Sequence, residues 1–122
     1  PGVAPQAFYV EPAGGVRYLK PVTLLTSDVT VSAAEIFTMA MRALPTVTHR
    51  GDTTFGALSD ILAKPLPNGW DLEMSNEIYR DAKGMLWEGR GIPPEDYIQN
   101  FDAATIYRSR DEAILTAVAR MQ

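Results

Sequence analysis

The chain has no cysteine, which removes disulfide frameworks, zinc–thiolate sites and a cysteine nucleophile together. It has one histidine, His49, and no acidic residues at metal-ligand spacing, so neither a metal nor another cofactor is expected. Basic charge is also scarce. Eleven Lys and Arg face fifteen Asp and Glu, the net charge is −4, and no Lys/Arg cluster forms a stripe, so no nucleic acid is expected among its partners. No apolar run approaches the roughly 18 residues of a membrane span. No basic stretch leads into an apolar one as in a signal peptide. A membrane is therefore not an expected partner of this chain, and any export signal of a longer parent would lie outside it.

What is present fits a single domain over residues 1–122. With 122 residues, 46% of them hydrophobic, the chain is long enough to bury about two-thirds of its unfolded surface. Residues 1–15 carry three prolines and three glycines and read as an irregular approach, with a short strand candidate at Ala7–Val10. Val16–Leu19 and Val22–Thr26 are further strand candidates. A helix is expected from Ser32 to Leu44, stopped by Pro45. Its apolar residues fall on most sides, which predicts a largely buried helix.

Thr46–Arg50 is β-branched and reads as a strand ending in the glycine-bracketed turn Gly51–Gly56. Ala57–Leu62 and Trp70–Tyr79 flank a Pro65–Gly69 turn and read as a hairpin. The two glycines and two prolines of the 85–94 stretch fix backbone rather than build a regular element. Ser109 and Glu112 form a capping box ahead of an amphipathic C-terminal helix.

Ser32 stands where a strand run gives way to a helix, three residues before Glu35. The same Ser-x-x-Glu spacing at Ser109 has no chemical rationale, so helix capping is the first reading of Ser32. A nucleophile is the second, because a serine on the first turn of a helix lies beside N–H groups that no intrahelical carbonyl satisfies. The two roles are compatible. His49, without a placed partner, reads as a structural or surface residue, and Trp70 and Trp87 read as packing residues.

Four segments in order bear on that choice: Pro21–Ser27, Ser32-Ala33-Ala34-Glu35-Ile36-Phe37, Gly51-Asp52-Thr53-Thr54-Phe55-Gly56, and Trp87-Glu88-Gly89-Arg90-Gly91-Ile92-Pro93-Pro94-Glu95. Together, over about residues 16–98, they resemble the catalytic core of the tail-specific serine peptidases. That superfamily comprises the C-terminal processing peptidases, the tricorn core and the interphotoreceptor retinoid-binding protein repeats. The resemblance implies an α/β fold of the Clp protease/crotonase type, built of strand-strand-helix units with a hairpin and a C-terminal helix. It implies Ser32 as nucleophile, the Ala33 N–H as an oxyanion donor, and Thr54 and Gly56 as substrate-binding positions.

In the C-terminal processing branch a lysine base follows Thr-Phe-Gly; here Ala57 stands there. The tricorn branch takes a histidine and a helper serine from a preceding domain and adds a glutamate, whose position matches Glu88. The Ser-Ala-Ala-Glu and Trp-Glu-Gly segments resemble that branch and the retinoid-binding repeats more closely. The implied function is a serine peptidase subdomain acting on an extended polypeptide, its base supplied by an upstream domain of the same protein. The isolated piece is then inactive, and strand edges bared by a missing half favour homo-oligomers. A periplasmic or secreted location follows from the resemblance, with the cytoplasm left open. Two alternatives stand beside it. One is an inactive peptide- or apolar-ligand-binding module of the same fold; the other is crotonase-type acyl chemistry, which lacks its glycine-rich oxyanion segment here.

Overall fold

A computed structural model describes residues 3–11, 13–100 and 111–121. In chain order the elements are β1 (Val22–Thr26), α1 (Ala33–Arg42), β2 (Val47–Gly51), β3 (Ile61–Pro65), β4 (Asp71–Ser75), β5 (Asp96–Tyr97) and α2 (Glu112–Ala119). The fold is α/β, as expected. β1, β2 and β5 form a parallel sheet in that spatial order, and β3 and β4 form a separate antiparallel hairpin.

β1 and β2 pair from Val22↔Val47 to Thr26↔Gly51, with α1 as the crossover that parallel neighbours require. The register ends at a glycine for a steric reason. A Cβ on Gly51, at φ +112°, would lie 2.1 Å from the Thr26 carbonyl oxygen.

Two small apolar clusters hold the layers. Met39 of α1 packs with Leu58 and Ile92, flanked by Ile36, Tyr79 and Trp87. Ile98 packs with Ala113 and Ala117 of α2 against Leu25. Arg50 ties α2 to the sheet by donating to the carbonyls of Ala117 and Arg120 and pairing with Asp96. Positive charge at those carbonyls complements the helix C-terminus.

Several expectations need correction. α1 buries only Glu35, Thr38 and Met39, while Phe37 is 56% exposed, because one helix face alone meets the sheet. The chain therefore stays far from the burial its composition allows. Its accessible surface is 9538 Å², against about 6,500 Å² for a compact monomer of its mass. Ala7–Val10 and Val16–Leu19 are not strands, since no described segment lies beside them to accept and donate ladder hydrogen bonds. The hairpin starts later than expected, because the N–H groups of Ala57, Leu58 and Ser59 are taken by the carboxylates of Glu35 and Glu88. β5, a two-residue strand just downstream of the irregular 85–94 stretch, has no counterpart among the expected elements. α2 is capped by Asp111, whose Oδ1 accepts from the Ile114 N–H at 2.9 Å; Ser109 lies outside the described residues. Among the described residues no helix is long and apolar enough to cross a membrane.

Candidate active site

The site is assembled around Glu35. Its side chain is completely buried, yet it lies among backbone donors rather than apolar groups. Oε1 accepts from the Thr54 hydroxyl at 2.5 Å and the Gly56 N–H at 2.8 Å, and Oε2 accepts from the N–H groups of Ala57 at 2.9 Å and Ser32 at 3.2 Å. A buried carboxylate is tolerated only when its acceptor sites are filled in this way. From the sequence, Glu35 is expected as the far end of a capping box. That relation to Ser32 exists, although the Ser32 hydroxyl makes no full cap hydrogen bond. The larger role is to bind the start of α1 to the Thr54–Ala57 loop.

The loop is held from its other side by a second loop. Thr54 Oγ1 accepts from the Ile92 N–H at 2.7 Å, and Gly89 N–H donates to the Gly56 carbonyl at 2.7 Å. The two backbones touch without side chains between them. A Cβ on Gly91 would sit 1.9 Å from the Thr54 carbonyl oxygen, and one on Gly56 2.6 Å from the Gly91 nitrogen. Both glycines also have positive φ.

Held this way, Ser32 adopts φ 59°, ψ −125° and is the only non-glycine at positive φ among the described residues. A side-chain-bearing residue there costs of order 1–3 kcal/mol and persists only where its surroundings impose it. Here the imposing contacts are visible, for the Ser32 N–H is shared between the Ala57 carbonyl at 3.0 Å and Glu35. The next N–H, that of Ala33, meets no acceptor among the described residues. Ser32 and Ala33 are both exposed and line a cleft of about 310 Å³ with Ile36, Leu58, Asp60 and Tyr79. A serine hydroxyl on a strained turn, next to a free N–H at a helix start, can attack a carbonyl and shelter the resulting oxyanion.

The other expected site residues are distributed unevenly. Ala33 is in the cleft. Thr54 and Gly56 are buried behind it, with their polar groups engaged by Glu35, Ile92 and Gly89, and neither lines the cleft. Glu88 Oε2 accepts from the N–H groups of Leu58 and Ser59, both at 3.0 Å, so it secures the segment that carries the cleft wall. Asp60 and Tyr79 reach the cleft from either side of the hairpin, a placement no local pattern announces.

His49 is completely buried in β2. The Thr26 hydroxyl gives its proton to the Asp52 carbonyl at 2.7 Å, so at its 2.7 Å contact with His49 it must accept from Nε2–H. Nδ1 is then a bare acceptor and has no hydrogen-bond partner; Arg42 Nη1, also buried, has none either. Desolvation, then the Arg42 charge, lower the His49 pKa to about 4. Among the described residues no group of His, Asp and Glu could hold a metal ion.

Comparison with known proteins gives the chain its relatives. The model of peptidase family S41 matches residues 3–98. The carboxy-terminal processing protease CtpA of Bacillus subtilis (strain 168) is 31% identical over 112 residues, covering 85% of this chain and 24% of that protein. A solved structure from Parabacteroides merdae ATCC 43184, assigned there as a candidate peptidase, is 33% identical with a TM-score of 0.78, over 90% of this chain and 34% of that one. The photosystem II D1 C-terminal processing protease shares the fold with a TM-score of 0.58 at 21% identity, over 66% of this chain and 21% of its own. The chain thus spans about a quarter to a third of the first relatives it matches. By the match over most of its length and by the order of its motifs, the chain belongs to peptidase family S41.

Proposed function

We propose that this chain carries the nucleophile of a serine-type peptidase, Ser32, and that the general base comes from outside it. The observation that carries the reading is the positive-φ backbone of Ser32 at the mouth of the cleft. In this scheme Ser32 Oγ attacks the substrate carbonyl and its proton passes to the external base. The oxyanion accepts from the Ala33 N–H, and the C–N bond breaks as the amine leaves with a proton. Water then releases the acyl group. Ala33 is one oxyanion donor. Thr54 and Gly56 act as a brace rather than as direct substrate contacts, and Glu88 is a positioning residue acting through Leu58 and Ser59.

The base is assigned elsewhere because the groups at hand are poor candidates. His49 has its Nε2 proton committed to Thr26 and its Nδ1 buried. Tyr79 is held protonated by its hydrogen bond to Glu77 first, then by desolvation and the charges of Glu77 and Asp60. The family's lysine position is Ala57, whose backbone touches both Ser32 and Glu35. That same alanine favours the second reading, a binding module that keeps the fold without hydrolysis.

A fluorophosphonate separates the two readings. In the intact protein it should label Ser32, while the 122-residue chain alone stays unlabelled. Ser32→Ala in the intact protein should lower peptide cleavage by at least about 10³-fold and change stability by no more than ~1 kcal/mol. Undiminished cleavage by Ser32→Ala would rule out Ser32, and an intact protein that neither labels nor cleaves would favour the binding module.

A further inference from the structure

The remaining lining of the cleft has a chemistry of its own. Ile36 and Leu58 make its apolar part, and Asp60 and Tyr79 close it. No Lys or Arg lines it. Asp60 is exposed, and its Oδ1 is used by the N–H of the following residue, Ile61, at 2.8 Å. Oδ2 carries no hydrogen bond among the described residues. The Tyr79 hydroxyl donates to Glu77, which places a second carboxylate at the same rim. The hydrogen bond to Glu77 first, then desolvation and the charges of Glu77 and Asp60, keep the Tyr79 proton in place. The volume, about 310 Å³, is at the small end of ligand pockets, ~300–1,000 Å³, and suits one long side chain.

We propose that this cleft selects a polypeptide substrate with a lysine or arginine flanking the scissile bond, its methylene stem lying on Ile36 and Leu58 and its charge meeting Asp60. The inference rests on the reading of Ser32 as nucleophile, which is what places the scissile bond at this cleft. A long cationic side chain is the one type that matches both halves of the wall. It buries an apolar stem while keeping its charged head at a solvated rim. An acidic side chain would meet two carboxylates, and a purely aliphatic one would leave the Asp60 charge unused.

The test uses the intact protein with Ser32→Ala and alanine-serine peptides carrying a single lysine or its uncharged isostere norleucine at successive positions. At one position the lysine peptide should bind roughly fivefold tighter than the norleucine peptide, the size of a partly screened ion pair. The preference should shrink as salt rises. Asp60→Asn keeps an oxygen for the Ile61 N–H and should bring that ratio to about one; Asp60→Lys should reverse it in favour of a glutamate peptide. A ratio near one at every position, a ratio that Asp60→Asn leaves intact, or no binding of either peptide would overturn the proposal. Failure of the nucleophile reading looks different. It appears as cleavage of the peptides during the binding assay with Ser32→Ala, seen by mass spectrometry whatever the residue at the probed position.

Discussion

The junction of Thr54–Gly56 with Gly89–Ile92 and the hairpin of β3 and β4 both depend on glycine turns, yet one is the most tightly specified part of the molecule and the other touches almost nothing. At the junction, Thr54, Gly56, Gly91 and Ile92 are buried and Glu35 fills four donor contacts. In the hairpin every residue of both strands is exposed, and Trp70 in the turn between them is 72% exposed. Backbone strain is thus concentrated at Ser32, beside that junction. The hairpin carries Asp60 and Tyr79 to the cleft at its two ends, and the rest of its surface is free of that duty.

Matched glycine substitutions should break this comparison most sharply. Gly91→Ala meets the Thr54 carbonyl at 1.9 Å and has φ +73°, so it should cost about 4 kcal/mol or more, in the range kept for mutations with a named steric cause. Gly69→Ala, at φ +82° in the hairpin turn, has nothing within 4 Å and should cost only the left-handed backbone penalty, about 1–2 kcal/mol. Urea unfolding of the two variants measures the gap. Equal losses would mean that the junction is not braced as described.

Next in size is Glu35→Gln. An amide can accept on one oxygen only, so its NH₂ must face either the pair Thr54–Gly56 or the pair Ala57–Ser32. Leaving buried donors unpaired should destabilise the protein by about 3 kcal/mol and should release Ser32 from its positive φ. A variant as stable as the parent would show that Glu35 does not hold the site.

These two regions also mark how far the sequence could be read. The parallel strands, the crossover helix, the hairpin and Ser32 at the helix start were legible from local pattern, because each is a short-range matter of β-branched runs, turn residues and a cap. The burial of α1 was not, since its apolar residues say that a face wants covering but not whether the described chain supplies the cover. Glu35 reads as a cap because its i, i+3 relation to Ser32 is local. Its bonds to Thr54, Gly56 and Ala57 lie 19 to 22 residues away and exist only once two loops meet. Asp60 and Tyr79 were missed for the same reason.

His49 sharpens the comparison from within the core. Its folded pKa of about 4 lies below the ordinary 6.5, so the unfolded chain binds the proton more readily. The associated stability is fully present above pH 6.5 and is lost as pH falls from 6.5 to 4, by about 3 kcal/mol in all. The chain has one histidine, so its imidazole signal can be followed by NMR without assignment of others. A midpoint near 6.5 would mean that the ring is hydrated rather than buried against Arg42.

The smallest effect is expected in the hairpin itself, and it is informative because it is small. Leu72 is 44% exposed and Trp70 72%, so serine at either position removes only part of a side chain's burial and should change stability by no more than about 1 kcal/mol. Thermal unfolding of the 122-residue chain gives that baseline, and the same substitutions in the intact protein give the comparison. A loss of 2 kcal/mol or more that appears only in the intact protein would place these side chains under another part of the molecule. The hairpin's apolar exposure would then be an interface seen from one side, as the junction's burial already is from both.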